Sequence, residues 1–416
     1  MKKAIGKIHL WLGLASGLVV FIVSITGCIY VFEEELKAWA YKDREIITVP
    51  DHAIKKPLSE LLAIAQKEVG ENHPIQNIEI PAAADETYAF RPVQVRDNKS
   101  YTHFGEIVYQ RKLYINPYTG DVVKNENTKY EFFTLVLRLH RNLLLNRGVG
   151  SMIVGSSVLI LVIMLITGIV LWWPKNKAAI KQRFYLAWKS STKPKRKNYD
   201  LHNVFGFYGS FILLIIALTG LTWSFDWFET SVQWIANGGA KTKKPKVEYS
   251  DTTHLRAALP IDKILFDIIA KNPEARTLTI SLPEKAKGTV NAAARSGIHV
   301  RYTTLRYQYD QFTGELLKAA NFSEKNAGEK LKALNYDIHV GAILGLPGKV
   351  LAFFASLISA SLPVTGFFIW YNRRFKKNRK KKTEKVPTYR DSKSPMKRPD
   401  FSRQPVLQST LKGDTK

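Results

Sequence analysis

Four histidines stand where imidazole can do metal chemistry. His9 in "KIHLWLGLASGLVVFIVSITG" and His202 in "YDLHNVFGFYGSFILLIIALTG" each open an apolar run that closes on Thr-Gly. His140 in "RLHRNLLLNRGVG" and His339 in "DIHVGAILGLPG" each precede a further apolar run, which ends on Thr167-Gly168 and Thr365-Gly366. Neutral imidazole binds iron well, and ionisable groups near a membrane mark a functional site by default. Two imidazoles from different helices at one depth suit the two axial positions of a haem b. A zinc ion held by the protein would need three or four ligands, and the helices carry no Cys, Asp or Glu positioned to complete such a set. For any one of these histidines the plainer alternative is an interfacial ring bonded to backbone or water. His52, His73, His103, His254 and His299 have no counterparts in the repeat and read as surface or structural residues.

The elements that must position the four are apolar helices. Ile8–Phe32, Gly148–Pro174, Leu201–Phe225 and Val350–Asn372 contain no Asp, Glu, Lys or Arg. Each is long enough to cross a hydrocarbon core, which takes about 20 helical residues. A cleavable signal peptide is the rival for the first run, but signal cores span only about 7–15 residues. The net charge of +27 lies mainly at three places: Lys2, Lys3 and Lys7; nine Lys/Arg from Lys175 to Lys197; and eight from Arg373 to Lys382. Four crossings put all three on one side, which fits the positive-inside rule, makes both termini cytoplasmic and leaves no reason to invoke nucleic acid. The C-terminal run can also touch anionic lipid headgroups. Cys28 is the single cysteine, which excludes an intramolecular disulfide, a thiolate zinc site, a Cys-ligated iron–sulfur cluster and a covalent c-type haem.

The chain is internally duplicated. At an offset of 193 residues His9 falls on His202, Gly13 on Gly206, Thr26-Gly27 on Thr219-Gly220 and Glu33 on Asp226. "PLSELLAIAQK" from Pro57 matches "PIDKILFDIIAK" from Pro260, both helical in period. Thr277–Leu282 and His299–Tyr309 read as strands, and "LYINPYTGDVV" and "LRYQYDQFTGELL" as paired strands joined at Gly120 or Gly314. The expected architecture is therefore membrane α-helical and internally duplicated. It comprises helix 1 (1–32), an outer α+β domain with an interfacial helix (33–147), helix 2 (148–174), a basic cytoplasmic loop (175–200), helix 3 (201–225), a second outer α+β domain (226–349), helix 4 (350–372) and a basic, disordered cytoplasmic tail (373–416).

Glycine placement extends the pattern. Gly13 and Gly206 lie one turn past their histidines, where a flat macrocycle needs a missing side chain. Gly27 is 18 residues beyond His9, a rise of about 27 Å. That lifts Gly27 and Gly220 to the depth of His140 and His339, and by the same reasoning Gly168 and Gly366 lie beside His9 and His202. Close packing of helices through small residues is the alternative for each glycine. Arg138 and Arg141 suit either haem propionates or lipid headgroups, and Trp172, Trp173, Trp370 and Tyr371 read as an aromatic belt.

These residues give the chain a resemblance to the PepSY-associated transmembrane family, the iron-regulated membrane proteins. It covers about residues 1–375 and rests on the repeated His…Gly…Thr-Gly helices, "NPYTGDVV", "DQFTGELL" and "LRLHRNLL". The resemblance implies two outer PepSY-like domains and, as in the haem-containing siderophore reductases of the bacterial inner membrane, an oxidoreductase with two haem b groups. Such a protein takes electrons from a cytoplasmic or membrane donor and passes them to ferric siderophores in the periplasm. No Gly-x-Gly-x-x-Gly follows a strand, so NAD(P)H or flavin binding is not supported. A PepSY-domain regulatory protein acting on a peptidase or envelope partner is the alternative, and it leaves the duplicated histidines without a purpose. A transporter ranks last, because the repeats run in one orientation and lack mid-membrane charges.

Overall fold

The computed structural model describes residues 1–96, 100–174, 176–242, 247–254, 259–297 and 300–383. The tail beyond Thr383 and the strand start at His299 lie outside the described residues. The chain runs through the same elements twice. The first half comprises α1 (Lys2–Tyr30), α2 (Glu33–Ala40), α3 (Leu58–Val69), β1 (Ile75–Pro81), β2 (Tyr88–Val95), β3 (Ile107–Ile115), β4 (Val122–Asn127), α4 (Phe132–Asn142) and α5 (Arg147–Trp172). The second comprises α6 (Pro194–Ser224), α7 (Asp226–Ala236), α8 (Ile261–Lys271), β5 (Thr277–Ser281), β6 (Thr289–Arg295), β7 (Leu305–Asp310), β8 (Leu316–Ala320), α9 (Ala327–His339) and α10 (Gly345–Thr383). Contacts divide the chain into a body of Met1–Trp370 and a second unit from Tyr371 that holds the end of α10.

Among the described residues four helices are long and apolar enough to cross a membrane: α1, α5, α6 and the stretch Ala342–Phe375 that contains most of α10. This is a multi-pass membrane protein. The third span begins earlier than its apolar run, because Pro194 at the first helical turn is preorganised for helix and "KRKN" continues it. The helices α2 and α7 follow the first and third spans directly, an extension that the charge of Glu33–Glu35 and Asp226 concealed in the sequence.

Away from the spans, eight strands among the described residues form one antiparallel sheet in the order β4-β3-β2-β1-β5-β6-β7-β8. The expectation of one small α+β domain per outer loop meets a different arrangement. Each half supplies four strands, and the exposed edges of β1 and β5 pair with each other, Ile78 opposite Ile280. Pairing satisfies backbone groups that an isolated edge leaves open. The strand expected over His299–Tyr309 begins only at Leu305. The same turn closes both hairpins: Asn116 accepts from the amides of Tyr118 and Thr119, and Asp310 from those of Phe312 and Thr313. Gly120 (φ +85°) and Gly314 (φ +66°) complete these turns in the left-handed region that favours glycine.

One face of the sheet is covered by α3 and α8, whose Leu58, Leu61, Ile261, Ile264 and Ile268 pack on Ile78, Phe90, Leu113, Ile280 and Tyr309. The opposite face is charged. Glu79 pairs with Arg91 (2.7 Å) and Lys112 (3.4 Å), and Arg295 reaches Glu34 on α2 (3.0 Å), so this face looks toward the helix ends. Lys349, 3% exposed, binds Glu35 (2.5 Å) and ties the start of α10 to α2.

Candidate functional site

The helices α4 and α9 are short and end on a histidine turn. Glu131 caps α4 by accepting from the amides of Phe133 and Thr134, and Asn326 with Glu329 forms a reciprocal cap on α9. Capping and amphipathic packing fix the direction of both helices. Beyond α4 the chain turns sharply at Leu143 and Leu144, both in the left-handed region, and Asn146 then caps α5. His140 and His339 are thereby delivered to the upper ends of α1 and α6.

All four repeated histidines meet in pairs across the two halves. His9 and His202 have ring centroids 6.5 Å apart at an interplanar angle of 88°. His140 and His339 have theirs 6.3 Å apart at 72°. Each ring is held by its own half. Nδ1 of His9 lies 2.9 Å from Thr167 Oγ1 on α5, and Nδ1 of His202 lies 2.9 Å from Thr365 Oγ1 on α10. Nδ1 of His140 lies 2.9 Å from the Val23 carbonyl and 3.2 Å from Thr26 Oγ1, both on α1. Nδ1 of His339 lies 3.0 Å from both the Ile216 carbonyl and Thr219 Oγ1 on α6. A carbonyl only accepts, so Nδ1 carries the hydrogen in the His140/His339 pair; in the His9/His202 pair the Thr167 and Thr365 hydroxyls donate to the Ile163 and Ser361 carbonyls and therefore accept from Nδ1, which sets the same tautomer. Each Nε2 therefore keeps its lone pair, and among the described residues none of the four has a hydrogen-bond partner at Nε2.

The Thr-Gly pairs have one job in two parts. The threonine hydroxyl holds Nδ1, and the glycine beside it leaves a flat place for the ring. A Cβ added at Gly168 would stand 3.5 Å from Cε1 of His9, at Gly366 3.3 Å from that of His202, at Gly27 3.2 Å from that of His140 and at Gly220 3.4 Å from that of His339. The expected depth matching of all four glycines is seen, with the imidazole as their immediate neighbour. Gly13 and Gly206 face elsewhere: a Cβ at Gly13 would meet Met164 Cε at 2.8 Å, and one at Gly206 would meet Leu362 Cδ2 at 3.4 Å. They bring α1 against α5 and α6 against α10, the arrangement that small residues give packed membrane helices. Along α1 the two pairs are separated by the 18 residues from His9 to Gly27, about 27 Å of helix.

A cavity of about 1450 Å³ runs from Leu161 and Leu213, inside the spans, past the His140/His339 pair to α7, β8 and α9. Gly27, Gly220, Ser24 and Ser359 line it, and the two serine hydroxyls bond each other at 2.8 Å. Trp223 packs edge-on against His339, centroids 5.0 Å apart. Burial pushes both outer rings down from the usual imidazole range, His339 to about 3, and keeps them neutral near physiological pH. Arg141 lines the cavity, whereas Arg138 is not among its lining residues.

Some residues were not legible in advance. Trp172, expected in an aromatic belt, is instead buried, stacking on Phe207 at 3.7 Å and donating Nε1 to the Arg183 carbonyl, because the basic loop folds back over it. Trp173 is 64% exposed and remains available to the interface. Among the unrepeated histidines, His103 is fully buried and His73 stacks flat on Tyr109. Arg301, Tyr302, Arg306 and the α7 and α9 residues of the cavity carried no local motif; only the charge balance of the second outer loop hints at them.

No curated protein matches the chain. A family model described as the PepSY-associated TM region matches residues 7–373, nearly the whole sequence. The chain belongs to the PepSY-associated transmembrane family.

Proposed function

We propose that the protein is a haem b transmembrane electron-transfer protein that reduces ferric siderophore iron on the periplasmic side of the bacterial inner membrane for iron uptake. The observation that carries this reading is the spacing of the two histidine pairs. Two metal–nitrogen bonds of about 2.0 Å, added to two five-membered rings whose atoms lie about 1.15 Å from centre for bonds of about 1.35 Å, predict centroids about 6.3 Å apart. The measured separations are 6.5 and 6.3 Å. Among the described residues no cluster of three or more His, Cys, Asp or Glu gathers for a bare metal ion. A pair of histidines would supply two nitrogen ligands, which suits a metal whose remaining ligands come with a cofactor.

His9 with His202 and His140 with His339 would each hold one haem. Bound in this way, haem iron supplies reversible one-electron transfer between the ferric and ferrous states. The protein's part is to present four Nε2 lone pairs, to raise imidazole basicity through the Nδ1–H bonds to threonine and carbonyl oxygen, and to keep the His140 and His339 rings neutral by burial. Arg141, which lines the cavity, would meet the carboxylates of such a group. The basic ends of the helices, Lys2, Lys3, Lys7 and the loop around Arg183, are assigned to the cytoplasm, where a soluble or membrane donor delivers electrons. The sheet and the cavity then face the periplasm. One electron converts a bound ferric chelate to the ferrous state, which hard oxygen ligands hold less strongly, and the iron leaves.

Purification in mild detergent with oxidised and reduced absorption spectra tests the reading. His9→Ala and His140→Ala should each remove about half of the haem. A colourless wild-type protein from haem-replete cells would instead favour a regulatory PepSY protein.

A further inference from the structure

The two halves repeat in fold but not in charge. Residues 33–147 carry 16 Lys/Arg against 17 Asp/Glu, whereas residues 226–349 carry 18 against 13. The part of the cavity beyond His140 and His339 follows the same division. Among the described residues that line it none comes from 33–131, and its outer wall is built by α7, β7, β8, α9 and the segments beside them. Seven Lys/Arg line it against four Asp/Glu. Glu229 pairs with Lys332 at 2.5 Å, which cancels one charge of each sign, and Arg301 reaches Glu34 outside the lining at 3.4 Å. Arg306 and Lys241 are exposed and have no acidic partner among the described residues. Setting Arg141 aside for cofactor carboxylates still leaves an excess of positive charge on the wall of the second half. At about 1450 Å³ the cavity also exceeds the roughly 300–1,000 Å³ of a usual ligand pocket, so it has room for a chelate beside the edge of a macrocycle.

We infer that this cavity is a binding site for anionic ferric chelates, of the polycarboxylate or catecholate class, which enter over the second outer half between α7, α9 and β8. The inference rests on the proposed function for its choice of cargo and on the lining residues for its sign of charge. A cleft with one excess sign and low-dielectric walls concentrates ions of the opposite sign. Neutral trihydroxamate complexes gain nothing from it.

Equilibrium dialysis of the oxidised full-length protein in detergent tests this, with ferric citrate in excess citrate as the anionic probe and a neutral ferric trihydroxamate as the comparison. Ferric citrate should bind at least about tenfold more tightly at low ionic strength and lose that advantage in high salt. Arg306→Glu combined with Lys241→Glu should weaken ferric citrate roughly tenfold, while Lys67→Glu on α3, remote from the cavity, should change nothing. Equal binding of both probes, or a double reversal without effect, overturns the inference. An absorption spectrum of the same samples separates the two readings. Colourless protein that still discriminates by charge refutes the haem assignment alone, and haem-loaded protein that ignores charge refutes the chelate inference alone.

Discussion

Replacing Gly366 with leucine tests whether the Thr-Gly pairs exist to seat imidazoles. A Cβ at Gly366 would stand 3.3 Å from Cε1 and 3.8 Å from Nδ1 of His202. Carbon atoms in ordinary contact lie about 3.5–4.0 Å apart, so alanine asks the ring to give a few tenths of an ångström. Leucine asks for much more, because its Cγ lies about 1.5 Å beyond Cβ, inside the volume that the ring occupies. A shift of that size takes Nδ1 away from Thr365 Oγ1, now at 2.9 Å, a bond worth about 0.5–1.5 kcal/mol net. It also destroys the 6.5 Å spacing to His9 on which a shared metal depends. Haem extracted per chain should fall from two to about one for Gly366→Leu, stay near two for Gly366→Ala with a shifted reduction potential, and be unchanged for Gly6→Ala, whose Cβ meets only Leu171 at 3.9 Å. Size-exclusion profiles on the same preparations separate loss of ligand from loss of fold. Full haem content and an unaltered spectrum in Gly366→Leu would refute the seating role.

Three further outcomes are expected. Thr219→Val removes the hydroxyl 3.0 Å from Nδ1 of His339 and leaves the Ile216 carbonyl in place, so the ring becomes less basic. The outer midpoint potential should rise by on the order of 20–60 mV for a bond of about 0.5–1.5 kcal/mol, read by potentiometric titration with the inner midpoint unmoved. Lys349→Ala removes the buried ammonium that binds Glu35 and should lower stability by on the order of 2 kcal/mol, measured by thermal unfolding in detergent. Burial holds His103 below the usual imidazole range, the Arg138 and Lys129 charges act in the same direction, and the Lys129 carbonyl and Glu106 oppose it more weakly. Its folded form resists a proton that the unfolded chain accepts near pH 6.5, so its contribution to stability is complete above about 6.5 and declines as pH falls. His103→Asn should flatten the pH dependence of melting between about pH 7 and 5 relative to wild type.

The spans and the repeat were legible because apolar length and duplication both survive as plain patterns. Each histidine and its Thr-Gly partner could be read off the offset, since a rise of about 1.5 Å per residue converts sequence separation into depth. What periodicity does not encode is which side chain fills a gap. Gly13 and Gly206 look equivalent to the other glycines in the sequence, yet Met164 and Leu362 stand against them, a fact fixed by helix rotation. The union of two four-stranded halves into one sheet was hidden for a similar reason. Ile78 and Ile280 carry no mark of being partners, and edge pairing depends on the placement of helices far away in sequence. The cavity wall was hidden most thoroughly, because Arg306, Lys241 and Tyr302 come from separate segments and only their summed charge leaves a trace.

The central claim is that imidazoles from separate halves share a metal at two depths. Low-temperature electron paramagnetic resonance of the oxidised protein, with haem quantified on the same sample, addresses it most directly. The interplanar angles of 88° and 72° predict two low-spin ferric signals of the strongly anisotropic kind that near-perpendicular axial imidazoles give, with two haems per chain. A haem-free protein, or a single high-spin signal from five-coordinate iron, would contradict it.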